Sequence, residues 1–104
     1  MIALGSEVDG TLVNSVISSN VVIEEGAVVE DSVIMSGSVI KKGAHVKYSI
    51  IDECVAVEED ACIGEGKETA NGIAVLGRGI SVGKGAKVAA GIIVDKSIRE
   101  GEEA

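Results

Sequence analysis

The chain has 104 residues, the length of one small domain, and 46% of them are hydrophobic although Tyr48 is the only aromatic residue. Val, Ile, Ala and Gly must therefore fill the interior, which favours a narrow core of uniform cross-section over a compact globule. The net charge of −8 argues against a nucleic-acid partner, because phosphate contacts need a basic surface, and the short apolar runs argue against a membrane span.

No secretory signal opens the chain, and its two cysteines, Cys54 and Cys62, have neither metal-site nor disulfide-framework spacing. We therefore expect a cytoplasmic protein with two reduced thiols. The chain starts part-way through a coil without a capping helix, so we expect it to be a segment of a longer protein, and Met1 need not be the natural start.

Three consecutive segments, residues 13–29, 30–46 and 47–63, align without a gap and define a repeat of 17 residues. Each repeat contains three units, and each unit has a small residue, a variable residue and an aliphatic residue before a polar corner. Since alternate residues of a strand face the same side, the small and the aliphatic residue are predicted to point inward. The predicted inward rows are Ile17, Ile34 and Ile51; Ile23, Ile40 and Val57; and Val29, Val46 and Ile63.

Further elements fit the same repeat on both sides of these segments. Upstream, Gly10 and Leu12 fit the last strand of an earlier coil. The polar segment 64–71 (GEGKETAN) is predicted to be a loop extruded from one corner, and it lacks the spacing of a phosphate-binding loop. The later inward pairs are predicted to be Ile73 and Val75, Ile80 and Val82, Ala86 and Val88, and Ile92 and Val94.

The corners carry residues that tolerate a positive φ. One corner contains Asn20, Gly37 and Gly79, and another contains Gly26, Gly43, Asp60 and Gly85. The corner charges alternate from coil to coil, as in Glu24, Lys41 and Glu58, or Glu25, Lys42 and Glu59. We therefore predict an all-β, single-stranded parallel β-helix of about five coils over residues 1–98, with an acidic tail at 99–104.

The variable residue of each unit is predicted to face outward. On the first face these residues are Val16, Val33, Ile50, Ala74 and Ile93; on the second, Val22, Val39, Ala56 and Ser81; on the third, Val28, His45, Cys62 and Lys87. A continuous apolar row indicates burial against another surface, so Val16, Val33, Ile50, Val22 and Val39 are candidate interface residues. The alternative is that β-propensity alone selects Val and Ile there.

Residues 14–64 closely resemble the C-terminal domain of bacterial ADP-glucose pyrophosphorylase (glucose-1-phosphate adenylyltransferase), or the related regulatory subunit of glycogen biosynthesis. The resemblance is carried by NSVIS at 14–18, VEDSVIM at 29–35 and KYSIID at 47–52, and it continues through GIAVLGRGISVGKGAKV. It implies a left-handed β-helix that packs on an N-terminal nucleotidyltransferase domain, assembles a homo- or hetero-oligomer and contributes to allosteric control. The catalytic residues and the Mg²⁺ site would lie in that other domain, so the resemblance implies no catalytic, cofactor or metal residue in this chain.

The main alternative is a hexapeptide-repeat acyltransferase with His45 as general base. His45 is the only histidine, so a three-histidine zinc site is excluded, and an ordinary half-exposed histidine remains the simpler interpretation. The family resemblance also implies anionic effectors. The candidate effector residues are Lys67, Arg78, Lys84 and Lys87, although a solvated charged edge is the default interpretation.

Overall fold

A computed structural model of the protein describes residues 5–65 and 72–103, and all of the regular structure in these ranges is β-strand. Each strand has only two or three residues, as expected for short apolar runs separated by glycine, asparagine or charged corners. The strands are β1 Glu7–Val8, β2 Thr11–Val13, β3 Val16–Ile17, β4 Val22–Ile23, β5 Val28–Glu30, β6 Val33–Ile34, β7 Val39–Ile40, β8 His45–Lys47, β9 Ser49–Ile51, β10 Ala56–Val57, β11 Cys62–Ile63, β12 Ala74–Leu76, β13 Ser81–Val82, β14 Lys87–Val88 and β15 Ile93–Val94.

The strands form three parallel sheets of five strands, and every strand pairs with the third strand before or after it. The first sheet has the order β3-β6-β9-β12-β15, the second β1-β4-β7-β10-β13, and the third β2-β5-β8-β11-β14. One turn of the chain therefore contributes one strand to each sheet. The protein is a parallel β-helix of about five coils, consistent with the left-handed form, which confirms the predicted fold class.

The core consists of the rows that the 17-residue repeat predicts. Ile17 pairs with Ile34 and Ile34 with Ile51, so that the three side chains lie directly above one another, and none of them is exposed to solvent. The rows that begin with Ile23 and Val29 are equally buried. Aliphatic side chains of similar size stacked at the strand spacing of about 4.8 Å fill the interior without aromatic residues.

Buried serines support the stacking at two corners of the interior. The Ser32 backbone N–H donates to Ser15 Oγ at 3.1 Å, and the Ser49 N–H donates to Ser32 Oγ at 3.1 Å. Each hydroxyl in turn donates to a carbonyl of its own coil, as Ser32 Oγ does to Glu30 O at 2.7 Å. At another corner, the Val55 N–H donates to Ser38 Oγ at 3.1 Å, and this hydroxyl donates to Asp52 O of the next coil at 2.7 Å. The aligned serines of the sequence therefore satisfy backbone amides that would otherwise be buried without an acceptor.

The register of β12 differs from the prediction. Ile73 and Val75 were expected to point inward, but Ala74 pairs with Ser49 and Leu76 with Ile51, and both are fully buried. Ile73 is instead 40% exposed. The small Ala74 fits above the small Ser49, and Leu76 continues the aliphatic row. The predicted register would place the larger Ile73 above Ser49 and the smaller Val75 above Ile51, so the core would be overfilled at the first position and underfilled at the second.

An insertion precedes this strand. The offset between paired residues is 17 from His45 to Cys62 and 25 from Ser49 to Ala74, so eight extra residues lie between these coils. The loop predicted at 64–71 falls at this place, but most of it lies outside the described residues. Gly64 at its start has a φ of 73°, and a side chain there would collide with the carbonyl oxygen of Lys47.

The two predicted corners have left-handed residues as expected, including Asn20, Gly37 and Gly43. A third corner, which the sequence did not reveal, has positive φ at Asn14 (48°), Asp31 (49°) and Tyr48 (46°). Asn14 Nδ2 donates to Asp31 Oδ1 at 2.8 Å across adjacent coils. Three successive coils thus have a left-handed residue at this position although its side chain changes, and Tyr48 shares the conformation of Asn14 and Asp31.

The corner charges and the two ends of the chain add coil-to-coil contacts. Lys41 Nζ lies 3.2 Å from Glu58 Oε1, and Glu24 Oε1 accepts a hydrogen bond from the Lys42 backbone N–H at 3.1 Å. At the start, β1 adds a strand to the second sheet that the sequence analysis did not identify. At the other end, the segment predicted as an acidic tail is exposed, and the Lys87 N–H donates to Glu102 O at 2.9 Å.

Candidate functional site

The outward row of the first sheet is aliphatic along its whole length. The predicted members Val16, Val33, Ile50 and Ile93 all face outward, and Val75 takes the place that was assigned to Ala74. Val16 is 39% exposed, Ile93 is 76% exposed, and the three residues between them are half-buried. Five residues spaced by about 4.8 Å give a row about 19 Å long. We call this row of Val16, Val33, Ile50, Val75 and Ile93 the first-face row.

Two further residues extend the apolar surface beside the first-face row. Tyr48 and Ile73 occupy adjacent positions of the third corner, each two residues before a member of the row. Tyr48 is half-buried and Ile73 is 40% exposed. The sequence analysis missed this extension because it assigned Ile73 to the interior.

The outward row of the second sheet is apolar only in its middle coils. The predicted interface residues Val22 and Val39 are half-buried there, followed by Ala56. The row begins with Glu7 and continues after Ala56 with Ser81, both of them exposed. The structure therefore gives the first sheet a more continuous apolar surface than the second.

The third sheet carries the polar side chains that sequence analysis singled out. Val28, His45, Cys62 and Lys87 pair in succession and all face outward, as predicted. His45 and Cys62 are half-buried, and Lys87 is exposed. A groove of about 280 Å³ lies beside this row, and Cys62, Glu65, Lys87 and Glu103 line it together with Gly64, Val88 and Ala89.

The surroundings of His45 do not form an acid–base pair. Its neighbours in the row are the apolar Val28 on one side and the Cys62 thiol on the other. Within residues 5–65 and 72–103, no three His, Cys, Asp or Glu side chains group together in a way that could hold a metal ion. A general base needs a second group to orient it or to stabilise charge, and neither of these two neighbours in the row is a carboxylate.

The candidate effector residues are distributed around one coil. Arg78 lies in the corner between β12 and β13, Lys84 in the corner between β13 and β14, and Lys87 on the third sheet, while Lys67 lies outside the described residues. Lys84 lies in a corner, next to Glu59 of the preceding coil and Glu100 of the following coil. Two backbone hydrogen bonds set this alignment: the Gly85 N–H donates to Glu59 O, and the Gly101 N–H donates to Lys84 O. The alternation of charge that begins at Glu25 thus continues through Lys84, and the effector role stays a prediction.

A second groove, of about 300 Å³, lies at the C-terminal end of the solenoid. Residues 92–98 line it together with Glu102 and Glu103. Ile92 and Val94 contribute apolar surface, because no further coil covers the last strand of the first sheet in the described residues. Nor do these residues contain a helix with the length and hydropathy that crossing a membrane would need.

The sequence of the chain matches a known protein family. The family model described as "GlmU-like, C-terminal hexapeptide" matches residues 1–82. A search of the curated proteins finds no significant match. The match supports the hexapeptide-repeat part of the resemblance stated above, and the narrower assignment to ADP-glucose pyrophosphorylase stays a prediction.

Two solved structures are similar to the chain. The acetyltransferase domain of PglB from Neisseria gonorrhoeae FA1090 has 22% sequence identity and a TM-score of 0.54, covering 94% of this chain and 52% of that one. PerB from Caulobacter crescentus, in complex with CoA and GDP-perosamine, has 20% identity and a TM-score of 0.43, covering 96% of this chain and 52% of that one. The chain thus spans about half the length of each, and the likeness to the PglB domain shows a shared fold.

Proposed function

The chain belongs to the GlmU-like C-terminal hexapeptide family, and from this premise we propose that it is a non-catalytic β-helix domain that assembles the subunits of a glucose-1-phosphate adenylyltransferase. The motifs at 14–18, 29–35 and 47–52 favour that enzyme within the hexapeptide-repeat proteins. In this role the β-helix packs on a nucleotidyltransferase domain and contributes to allosteric control, while ATP, glucose 1-phosphate and Mg²⁺ bind elsewhere in the protein.

The observation that carries the proposal is the first-face row. A water-exposed sheet face would carry polar residues at most outward positions, yet all five positions of this row are Val or Ile. With Tyr48 and Ile73 beside it, the row forms a continuous apolar surface over five coils, and surfaces of this kind mark contacts with other proteins or domains. A flat β-sheet face also offers a rigid surface, which lowers the entropic cost of association.

The assembly role is tested by placing a charge in the middle of the first-face row. Val33→Glu would bury a carboxylate in the interface, and we expect sedimentation velocity to show a shift from the assembled species towards the 10.5 kDa monomer. The matched control is Val28→Glu, which changes the same residue type at an equally half-buried outward position on the third sheet. We expect the control to sediment like the unmodified chain.

Far-UV circular dichroism of both variants reports whether the β-helix is retained. An unchanged sedimentation profile for Val33→Glu, with the fold retained, would contradict the proposed interface. The enzyme class is tested separately, by sequencing the reading frame upstream of these residues. A nucleotidyltransferase domain there, and formation of ADP-glucose and pyrophosphate by the full-length assembly, would support the proposal.

The second candidate function is acyl transfer with His45 as general base. It is favoured by the outward position of His45 on the third sheet, one coil from the groove lined by Cys62 and Lys87. If the chain is such an enzyme, it should release free CoA from acetyl-CoA in the presence of amino-sugar acceptors, and His45→Ala should lower that rate by at least about 100-fold. An equal rate for His45→Ala would rule out this function for His45.

A further inference from the structure

Two polar side chains border the first-face row in its central coil, one on each side. Tyr48 comes two residues before Ile50 and Asp52 two residues after it, so that they lie at opposite edges of the first sheet, and both are half-buried. Asp52 Oδ1 accepts a hydrogen bond from the Glu53 N–H at 2.7 Å. In the described part of the chain, no hydrogen bond occupies Asp52 Oδ2 or the Tyr48 hydroxyl, so one edge offers a donor and the other an acceptor.

We infer that the first-face row binds the first-face row of a second copy of this chain, with the two solenoids parallel and related by a two-fold axis along the interface. The inference rests on the proposed assembly role and adds the partner and its orientation. Such an axis keeps each coil opposite the same coil of the partner and brings each edge of the sheet opposite the other edge. Tyr48 then faces the partner's Asp52, twice in the dimer, and the phenol donates to the carboxylate.

The neighbouring coils fit the same arrangement. In the fourth coil, the 40% exposed Ile73 faces the partner's Gly77, where no side chain opposes it. In the second coil, Asp31 faces the partner's Met35, and its carboxylate already accepts a hydrogen bond from Asn14 Nδ2 at 2.8 Å. Along the centre of the face, each Val or Ile of the row meets its own counterpart.

An antiparallel arrangement of the two solenoids brings together groups that repel. In register, it places the Asp52 carboxylate against the partner's Asp52 and the Asp31 carboxylate against the partner's Ile73. Two facing carboxylates are destabilising, and so is a charge that loses water against an apolar side chain. A shift by one coil avoids both contacts, but only four of the five coils then overlap.

The size of the face determines how strong the dimer is. Five coils spaced by about 4.8 Å, with about six residues of about 3.3 Å on each side of the coil, give a face of about 24 by 20 Å. The two copies together would bury about 1,000 Å², which is typical of weak interfaces. Sedimentation equilibrium should therefore show a concentration-dependent equilibrium between the 10.5 kDa chain and a species of twice that mass.

Single-cysteine variants measure the orientation. In a background with Cys54→Ser and Cys62→Ser, the variants Val16→Cys and Ile93→Cys place one thiol in the first or in the last coil of the row. In the parallel dimer each thiol meets its own counterpart, so a short bismaleimide should crosslink each variant to itself. This reagent spans the distance of about 10 Å between stacked sheets, which a disulfide cannot.

Ile50→Cys and Val28→Cys are the controls. Ile50 lies in the central coil, where both orientations bring it onto its counterpart, whereas Val28 is a half-buried outward residue of the third sheet and should not crosslink. Crosslinking of Ile50→Cys, but of Val16→Cys only when it is mixed with Ile93→Cys, would overturn the parallel arrangement and leave the assembly role intact. No crosslinking of Ile50→Cys, with a mass that stays at 10.5 kDa, would overturn both.

A double-mutant cycle tests the contact between Tyr48 and the partner's Asp52. Tyr48→Phe and Asp52→Ala should each raise the dissociation constant of the dimer at least about tenfold, because each removes two charge-assisted hydrogen bonds. The double variant should dissociate no more readily than the weaker of the two single variants, and far-UV circular dichroism verifies that all three retain the β-helix. Losses of affinity that multiply in the double variant would show that the two side chains do not meet.

Discussion

The register of β12 makes the most discriminating prediction, because two aliphatic residues three positions apart should lose very different amounts of stability on the same truncation. Leu76 lies in the interior row between Ile51 and Val94 and is fully buried. Ile73 lies at the third corner and is 40% exposed. The perturbations are therefore Leu76→Ala and Ile73→Ala, which remove side chains of equal volume.

The expected magnitudes follow from burial. Leu76→Ala should lower the free energy of unfolding by about 3 kcal/mol, within the 2–5 kcal/mol typical of truncations that leave a cavity in a packed core. For 104 residues, the unfolding entropy is about 0.2 kcal/mol/K, so Tm should fall by about 14 °C. Ile73→Ala removes surface that is already partly in water, and should cost less than about 1 kcal/mol, or about 5 °C.

Thermal unfolding followed by circular dichroism measures both values, and urea titration at 25 °C checks them independently. The unmodified chain is the reference for each. If Ile73→Ala instead destabilised the protein more than Leu76→Ala, the side chains of β12 would have the register that the sequence first suggested, and the first-face row would contain Ala74 rather than Val75.

Two further predictions concern the corners and the serine rows. Gly43→Ala would place a methyl group against the carboxylate of Asp60 at a φ of 75°, and should lower the free energy of unfolding by about 2 kcal/mol. Gly85→Ala has a similar φ of 70° but nothing within 4 Å of the added methyl group, and should lower it by about 1 kcal/mol. Equal losses of unfolding free energy in urea titration would show that the Asp60 contact is unimportant. Ser32→Ala would leave the buried N–H of Ser49 without its 3.1 Å acceptor and should cost about 1–3 kcal/mol, and an unchanged midpoint in the same assay would contradict the role of the serine row.

The sequence predicted most of the fold because the repeat encodes both levels of structure. Alternation within each unit determines which side chains face inward, and the 17-residue period determines which of them stack. The row from Ile17 to Ile51 and the outward positions of Val33 and His45 could therefore be assigned before the structure was known. Glycine and asparagine at two corners marked the turns, because those residues adopt a positive φ at little cost.

The predictions were less accurate where the repeat is interrupted. After the eight-residue insertion, the local sequence Ile73–Leu76 fits either of two registers, since both place aliphatic residues at alternate positions. Ala74 and Leu76 match the pattern of a small residue followed by an aliphatic one, which favours the observed register, but this pattern alone does not exclude the register with Ile73 and Val75 inward. The third corner gave only a partial signal, since Asn14 and Asp31 are residue types that adopt a positive φ whereas Tyr48 is not.

By itself, the sequence determined the 17 residues per coil of the gap-free segments, the composition of the core and the rows of residues that lie above one another there, because all three follow from the repeat of side-chain types. Only the tertiary structure decided the register beyond the insertion, the conformation of the third corner and the unbroken first-face row. These features depend on how one coil fits on the coil beneath it. Such contacts join residues that are 17 to 25 positions apart, and no local pattern specifies them once the repeat is broken.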